Sequence, residues 1–434
     1  MRWWAAVELV ERILQEGARL ADEVEVYLSS GSSIAARLQR REIHYAAGSR
    51  HQGLSIRVIH KGCIGASGTQ NPDQWRECLG AAVAGAKLAT SQPWNGLPDP
   101  ADLDQVPLNF DPDLRPEPES TRELLLGMIE GTAAYPVEIT SGSAEISVYS
   151  EILANSHGLN YTSRGSNVSA AIETIREQST GYEFDNSWKS DLDPLMIGEK
   201  AAELASTSTG GKEIATGEYN VVLSPLAFSQ LLGAVFIPAL SGRNVHAGRS
   251  RLANLLGQQV TDPGLSILDD PFHQRGLSAT RWDAEGTTTD VLPYVKEGVL
   301  QMFAYDIKNG SRYGKKSTGS AVRAGPGGAP SIGTHNIRLE GPRTDVLEER
   351  AIFIHDVVGA HTANPLTGDF SVELSNASVF EGGVREYPIR KAMLSGNVFS
   401  MLEEIGGLSR QERVIGSFIL PDIRLKNQRI IGNE

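Results

Sequence analysis

Cysteine is nearly absent: Cys63 and Cys78 are the only two in 434 residues. Two thiols are too few for the disulfide framework of a small secreted protein or for a Cys-ligated zinc site, so both are read as reduced, buried thiols. Long apolar runs are missing as well. No uninterrupted stretch approaches the roughly 20 residues that a membrane-spanning helix needs, so no membrane partner is expected. Dense runs of Lys and Arg are missing, and the net charge is −13. Non-specific nucleic-acid affinity comes mainly from clustered cations, so direct contact with nucleic acid is not expected. Two active-site signatures are absent too. The chain contains neither HExxH nor HExxxH, and no GxSxG nucleophile elbow.

What is present is a globular composition, 40% hydrophobic and 21% charged, long enough for two domains with separate cores. The N-terminal MRWWAAVELVERILQEGARL is apolar, but Glu8, Glu11, Arg12 and Glu16 interrupt any signal-peptide core. Ala6, Leu9, Val10, Ile13 and Leu14 fall at helical spacing, so an amphipathic helix is expected. Period-two alternation then predicts strands near 23–29, 33–39, 43–48, 53–60 and 63–68, an antiparallel meander. Asn71 and Pro72 predict the N-cap and first position of a helix reaching about Leu88. Prolines across Pro93 to Ser120 exclude regular structure and suggest an ordered surface excursion, after which Ser120 and Glu123 form a capping box. The strand pattern returns around Ile146, Val148, Val168, Ala170 and Ile172, compatible either with a weak internal duplication or with an unrelated hairpin. Asp193 and Pro194 open another helix to about Ala205.

The second half begins with a strand at 218–223. Ser224 and Pro225 then cap a helix that is apolar on most faces and therefore expected to be buried. Beyond it come short strand-like runs punctuated by Gly or Asp, as in an antiparallel barrel or sandwich. The fold class read from this pattern is α+β. Residues 1–212 form an N-terminal α+β domain of antiparallel strands and helices, and residues 213–434 a β-rich, barrel-like domain with one buried helix near 224–238.

Several clusters are candidates for chemistry. Asp283 and Glu285, in WDAEGT, would share a strand face about 6.5–7 Å apart, a spacing that suits paired carboxylates acting on water. The structural alternative is that they cap turns or pair with Arg281. His355, Asp356 and His361 look like a ligand set, but on an extended strand two histidines six residues apart would be about 20 Å apart. GSRYGKKS, Gly310 to Ser317, has three residues rather than four between its glycines and reads as a basic turn, not a phosphate loop. AVRAGPGGAPSIGTHN, ending in His335 and Asn336, is read as a plain surface loop, the alternative being a segment that closes over a partner.

The run HDVVGAHTANPLTGDFSVELSNASVFEGGVREYPIRKAMLSGN, His355 to Asn397, resembles the C-terminal signature of the TldD/PmbA (TldE) family. The resemblance covers essentially the whole chain, and in that family the second half is β-rich. WDAEGT matches its Asp-x-Glu-Gly-Thr segment, and Ser317, Thr318 and Gly319 its STG. The family pairs a metallopeptidase subunit carrying a zinc-binding HExxxH helix with a similar subunit lacking it. GRSRLANLLGQQV, Gly248 to Val260, matches through Ser250 and Gly257 the stretch that follows the zinc helix. Counting back without a gap places Gly233, Ala234 and Pro238 where His, Glu and His would stand. None carries a donor for zinc or a group to move a proton. The cysteine ligand of the peptidase is also missing from the tail VIGSFILPDIRLKNQRIIGN.

The resemblance therefore implies the PmbA/TldE-type subunit of a cytoplasmic heteromeric metallopeptidase. No cofactor is expected in this chain. Zinc is expected in a TldD-like HExxxH partner, extended or leader-bearing peptides are the expected substrates, and a homodimer is expected when the chain is isolated. A second reading is a stand-alone hydrolase using a non-standard site drawn from Asp283, Glu285, His335 and His355. A third is a regulatory binding protein, following the family's older description as a modulator of DNA gyrase.

Overall fold

The computed structural model describes residues 3–325 and 327–433. Its first half is a six-stranded antiparallel sheet with strand order β3-β2-β1-β4-β5-β6, made of β1 (Glu23–Gln39), β2 (Glu42–His60), β3 (Cys63–Thr69), β4 (Glu138–Asn155), β5 (Asn160–Arg176) and β6 (Ser179–Ser187). Four helices accompany it: α1 (Trp3–Gly17), α2 (Trp75–Leu88), α3 (Pro118–Gly131) and α4 (Pro194–Thr207). The chain thus runs helix, three strands, helix, and then runs the same course again, with β1 and β4 meeting at the centre. The two passes share local chemistry. Each second helix is preceded by an Asx-Pro start: Asn71 accepts from the Asp73 N–H, and Asp193 from the Met196 N–H. Each third strand meets its helix at a glycine, because a Cβ on Gly65 would fall 2.0 Å from the Ala82 carbonyl and one on Gly181 would fall 2.1 Å from that of Ala201.

All four helices cover one face of the sheet. Val24, Val26, Leu28, Leu54, Ile56 and Val58 pack with Trp75 and Leu79 near one end, and Ala36, Leu38, Ala170 and Ile172 pack with Leu125, Met128 and Ile197 near the other. Three expectations need correction. The first meander has three long strands rather than five, since the breaks expected at glycine-containing stretches lie inside continuous ladders. α3 starts at Pro118, whose fixed φ sets the first turn, so Glu117 stands at the N-cap with no side-chain bond and the Ser120–Glu123 box does not form. Cys78 is buried, but Cys63 is only half-buried.

The proline-rich excursion is an ordered strap. The Trp94 indole donates to Glu23 at 2.8 Å, the Asn95 N–H to the Ser311 hydroxyl at 3.0 Å, and the Asn109 amide to the Leu277 carbonyl at 2.7 Å, so the strap bonds both halves of the molecule.

In the second half five strands close on themselves: Gly217–Leu223, Ala351–Val358, Asp369–Glu381, Met393–Asn397 and Phe418–Ile431. The first two pair in parallel and the remaining neighbours are antiparallel. Further strands extend this barrel from the Phe418–Ile431 edge, including Ser266–Asp269, Leu292–Lys296 and Ile337–Glu340. The fold is α+β with a barrel in its second half. A helix beginning at Pro225, capped by the Ser224 hydroxyl accepting from the Ala227 N–H at 3.2 Å, buries Phe228, Leu231, Leu232, Val235 and Phe236 completely in the barrel-side core. No helix among the described residues is long and apolar enough to cross a membrane.

Candidate functional site

The sheet face turned away from the helices is polar, and alternation along β1 dictates its content. Glu25, Tyr27, Ser29 and Gly31 point to it, each beside cross-strand neighbours on β2 and β4. The rows read Arg57–Glu25–Asn155, Ser55–Tyr27–Leu153, Gly53–Ser29–Glu151 and His51–Gly31–Tyr149, with Tyr161, Ser163 and Gly165 of β5 opposite Leu153, Glu151 and Tyr149. Glycine is required in the last row. A Cβ on Gly165 would lie 2.2 Å from the Tyr149 ring, and one on Gly31 would lie 2.5 Å from the His51 ring. Ring and glycine alternate across the strands, which is why these glycines do not break them.

The second half closes over this face through a buried ion network. Arg57 bonds both Glu25 and Glu285. Arg323 donates to Glu25 at 2.6 Å and to the Ala284 carbonyl at 3.0 Å, with its guanidinium 4.5 Å from the centre of the Tyr27 ring. Glu285 also accepts from the Ile307 N–H at 2.6 Å. Such pairs hold two surfaces in one register, because removing either partner strands a charge away from water.

Asp283 and Glu285 do not lie on a strand. They sit in a tight turn in which Gly286 takes φ +86°, and the Asp283 carboxylate accepts from the N–H groups of Glu285, Thr287 and Ala321 at 2.9–3.0 Å. Burial, followed by the neighbouring Glu285 charge, pushes the Asp283 carboxyl up to about 7 against the pull of those three donors. Burial likewise raises Glu285 above the usual carboxylate range, with Arg57 opposing it. Both carboxylates are thus engaged in holding the turn and the ion network.

Between the sheet face and the second half lies a cavity of about 370 Å³. Tyr27, Tyr149, Glu151 and Tyr161 line it from the sheet, and Trp282, Asp283, Arg323 and His335 from the second half. His335 is 4% exposed, its N–H donates to Asp269 at 2.9 Å, and its ring Nδ1 is 3.4 Å from the Asp269 carboxylate. The glycine-rich segment before it is a short hairpin, Ala321–Arg323 with Pro330–Ile332, that leans on β3 where Gly68 has no side chain. Glu151 and Tyr27 escape a reading of motifs because they are 124 positions apart, although Glu25, Tyr27 and Ser29 alternating with Val24, Val26 and Leu28 already mark a two-faced strand.

His355 lies elsewhere. It is buried on the strand Ala351–Val358 with Nε2 3.8 Å from Glu183, which Arg413 holds, and that ring nitrogen has no hydrogen-bond partner among the described residues. Burial keeps its imidazole below the usual range. Asp356 instead accepts from the Gln230 amide at 2.6 Å, and His361 lies in the exposed turn beyond Gly359, so the three do not form one ligand set.

The helix that begins at Pro225 changes character at Leu232–Phe236, where it widens to a π turn. Pro238 explains this. It has no N–H, and in a regular α-helix its ring would strike the Ala234 carbonyl, whereas here the Ile237 N–H bonds the Leu232 carbonyl five residues back. In such a turn positions five apart, Gly233 and Pro238, share a side. Gly233, Ala234, Ile237 and Pro238 are only half-buried, so the helix expected to be buried keeps one partly open, apolar face.

Comparison with known proteins follows the same division of the chain. Residues 24–86 match PmbA/TldA metallopeptidase domain 1, residues 111–209 its central domain and residues 216–432 its C-terminal domain. The chain belongs to the PmbA/TldD metallopeptidase family. An uncharacterized protein of Methanocaldococcus jannaschii is 28% identical over 97% of this chain and 99% of its own length. Metalloprotease PmbA of Escherichia coli O157:H7 is 24% identical over 99% of both. The crystal structure of TldE from Thermococcus kodakarensis superposes with a TM-score of 0.91 at 25% identity, over 98% of this chain and 100% of that one.

The PmbA/TldD family name implies a metal, and the helix at 225–239 is where the resemblance puts its ligands. The residues present do not fit one. Gly233, Ala234 and Pro238 offer no side-chain donor, and a Cβ at Gly233 would already lie 3.3 Å from the Phe418 ring. No group of three or more His, Cys, Asp or Glu among the described residues is arranged to hold a metal ion.

Proposed function

We propose that this chain is the zinc-free, TldE-type subunit of a cytoplasmic two-subunit metallopeptidase. A TldD-like partner with HExxxH would supply zinc and the activated water, and this subunit would enclose the chamber and position extended or leader-bearing peptides. One observation carries the reading. In a metallopeptidase-family chain, the helix expected to bear the ligands keeps the i, i+5 geometry of a wide turn and a half-open face, with Gly233, Ala234 and Pro238 at the ligand positions. The likeness to TldE of Thermococcus kodakarensis over the full length supports the same assignment. The contribution to catalysis is then exclusion and orientation rather than bond cleavage.

The test is co-expression with an HExxxH-bearing relative from the same genome. Joint elution of the two chains, peptidase activity in the joint fraction and none from either subunit alone are expected. Peptidase activity of this chain by itself, or stoichiometric zinc retained by it as a homodimer, would overturn the proposal.

A further inference from the structure

We infer that the cavity between the polar sheet face and the second half is a binding site for an aliphatic primary ammonium group. The inference is independent of the metal-free reading. It rests on how the charges around the cavity are matched. The guanidinium that lines it is committed, Arg323 holding Glu25 at 2.6 Å and the Gly328 carbonyl at 2.8 Å, and the neighbouring Arg57 spans Glu25 and Glu285. Asp283 is met by three backbone N–H groups. His335 is turned towards Asp269. Glu151 is the carboxylate left over. It accepts from the Tyr27 hydroxyl, and no cation pairs with it among the described residues.

The walls suit the same ligand. Tyr149 flanks Glu151, Tyr161 and Trp282 stand with ring centres 4.7 Å apart, and Leu153 adds an aliphatic surface for the stem of the amine. The Tyr161 hydroxyl is tied down by the Ala101 backbone, accepting from its N–H at 2.7 Å, so that side chain offers its ring. A carboxylate among aromatic faces, with its local cations already paired, attracts an ammonium both by charge and by the ring quadrupoles. A cavity of about 370 Å³ has room for a lysine-like side chain or the first residues of a peptide. Burial raises the Glu151 carboxyl above its ordinary range, opposed by the Tyr27 hydroxyl and the Arg323 charge, and an ammonium brought beside it would favour its ionised form.

Isothermal titration calorimetry of the full chain tests this with n-butylammonium, n-butanol and propionate. Saturable binding of butylammonium alone is expected, and Glu151→Gln should weaken it about tenfold or more. Ser163→Lys is the second variant. It places an ammonium on the strand neighbour of Glu151 and should abolish binding while leaving the carboxylate present. Circular dichroism and urea unfolding establish that each variant is folded. A tripeptide with a free amino terminus, its N-acetylated form and Nα-acetyl-lysine methylamide then distinguish the two carriers of the group. Binding lost on acetylation assigns an α-ammonium and binding of acetyl-lysine methylamide a side-chain ammonium, and either supports the site. No saturable binding of any amine, equal binding of butanol or propionate, or unchanged affinity in folded Glu151→Gln or Ser163→Lys would overturn it.

Discussion

The two faces of the six-stranded sheet are built from the same strands but held by different physics. On one, Val24, Val26, Leu28, Leu54, Ile56 and Val58 meet α1 and α2 through dispersion and the exclusion of water. On the other, Glu25, Arg57 and Glu285 meet through charge, and the contact closes a cavity rather than filling one. The apolar face tolerates a misfit by partial collapse. The polar face does not, because a carboxylate without its guanidinium has nowhere to find water.

That contrast can be broken by measurement. Arg57→Ala should cost most, about 3–5 kcal/mol in urea unfolding, since it leaves Glu25 and Glu285 buried without their shared cation. Its neighbour across the pleat, Ile56→Ala, should cost about 2–4 kcal/mol. If Arg57→Ala proves the milder of the two, the ion network is not what joins the halves. Gly165→Ala forces the Tyr149 ring off its strand and should cost about 1–3 kcal/mol, with a loss of ammonium affinity that Ile56→Ala does not share.

The pH dependence of stability should also separate the faces. The Asp283 carboxyl is raised in the folded state, so the native protein binds more protons than the unfolded chain between about pH 4 and the folded value of about 7. Its contribution to stability is therefore greatest below that window and is lost as pH rises through it. Asp283→Asn should flatten this slope in thermal melts across pH 4–8, whereas a helix-side variant such as Ile56→Ala should leave the slope unchanged. The smallest effect belongs to the rim of the apolar face. Asp193→Ala removes one cap from α4 and should cost about 1 kcal/mol in the same unfolding measurement.

What could be read from residues alone follows from the range of each interaction. Caps were legible at Asn71, Asp193 and Ser224 because an Asx or Ser before proline satisfies N–H groups two or three positions on. The absence of a strand break at Gly31 was not, since Gly31 answers to His51 on the neighbouring strand, a contact no local window contains. The residues at 283–287 left strand and turn both open, because alternating polar residues look alike in the two until Gly286 is seen at positive φ. The family was legible in the run from His355 to Asn397, while the cavity was not, since its walls are drawn from residues 27 to 335 of the chain.

The widened turn at Leu232–Phe236 has a geometric consequence. Regular α winding through the same residues would swing everything downstream by roughly 100° around the axis. Gly233 and Ala234 would then look one way and Pro238 another, and Ala239 and Leu240, now fully covered, would be rotated out of the core. The angular phase of this helix is therefore set by its proline and locked by its packing. Histidines grafted at 233 and 238 would start out on a common side, with the Phe418 ring as the first obstacle to move.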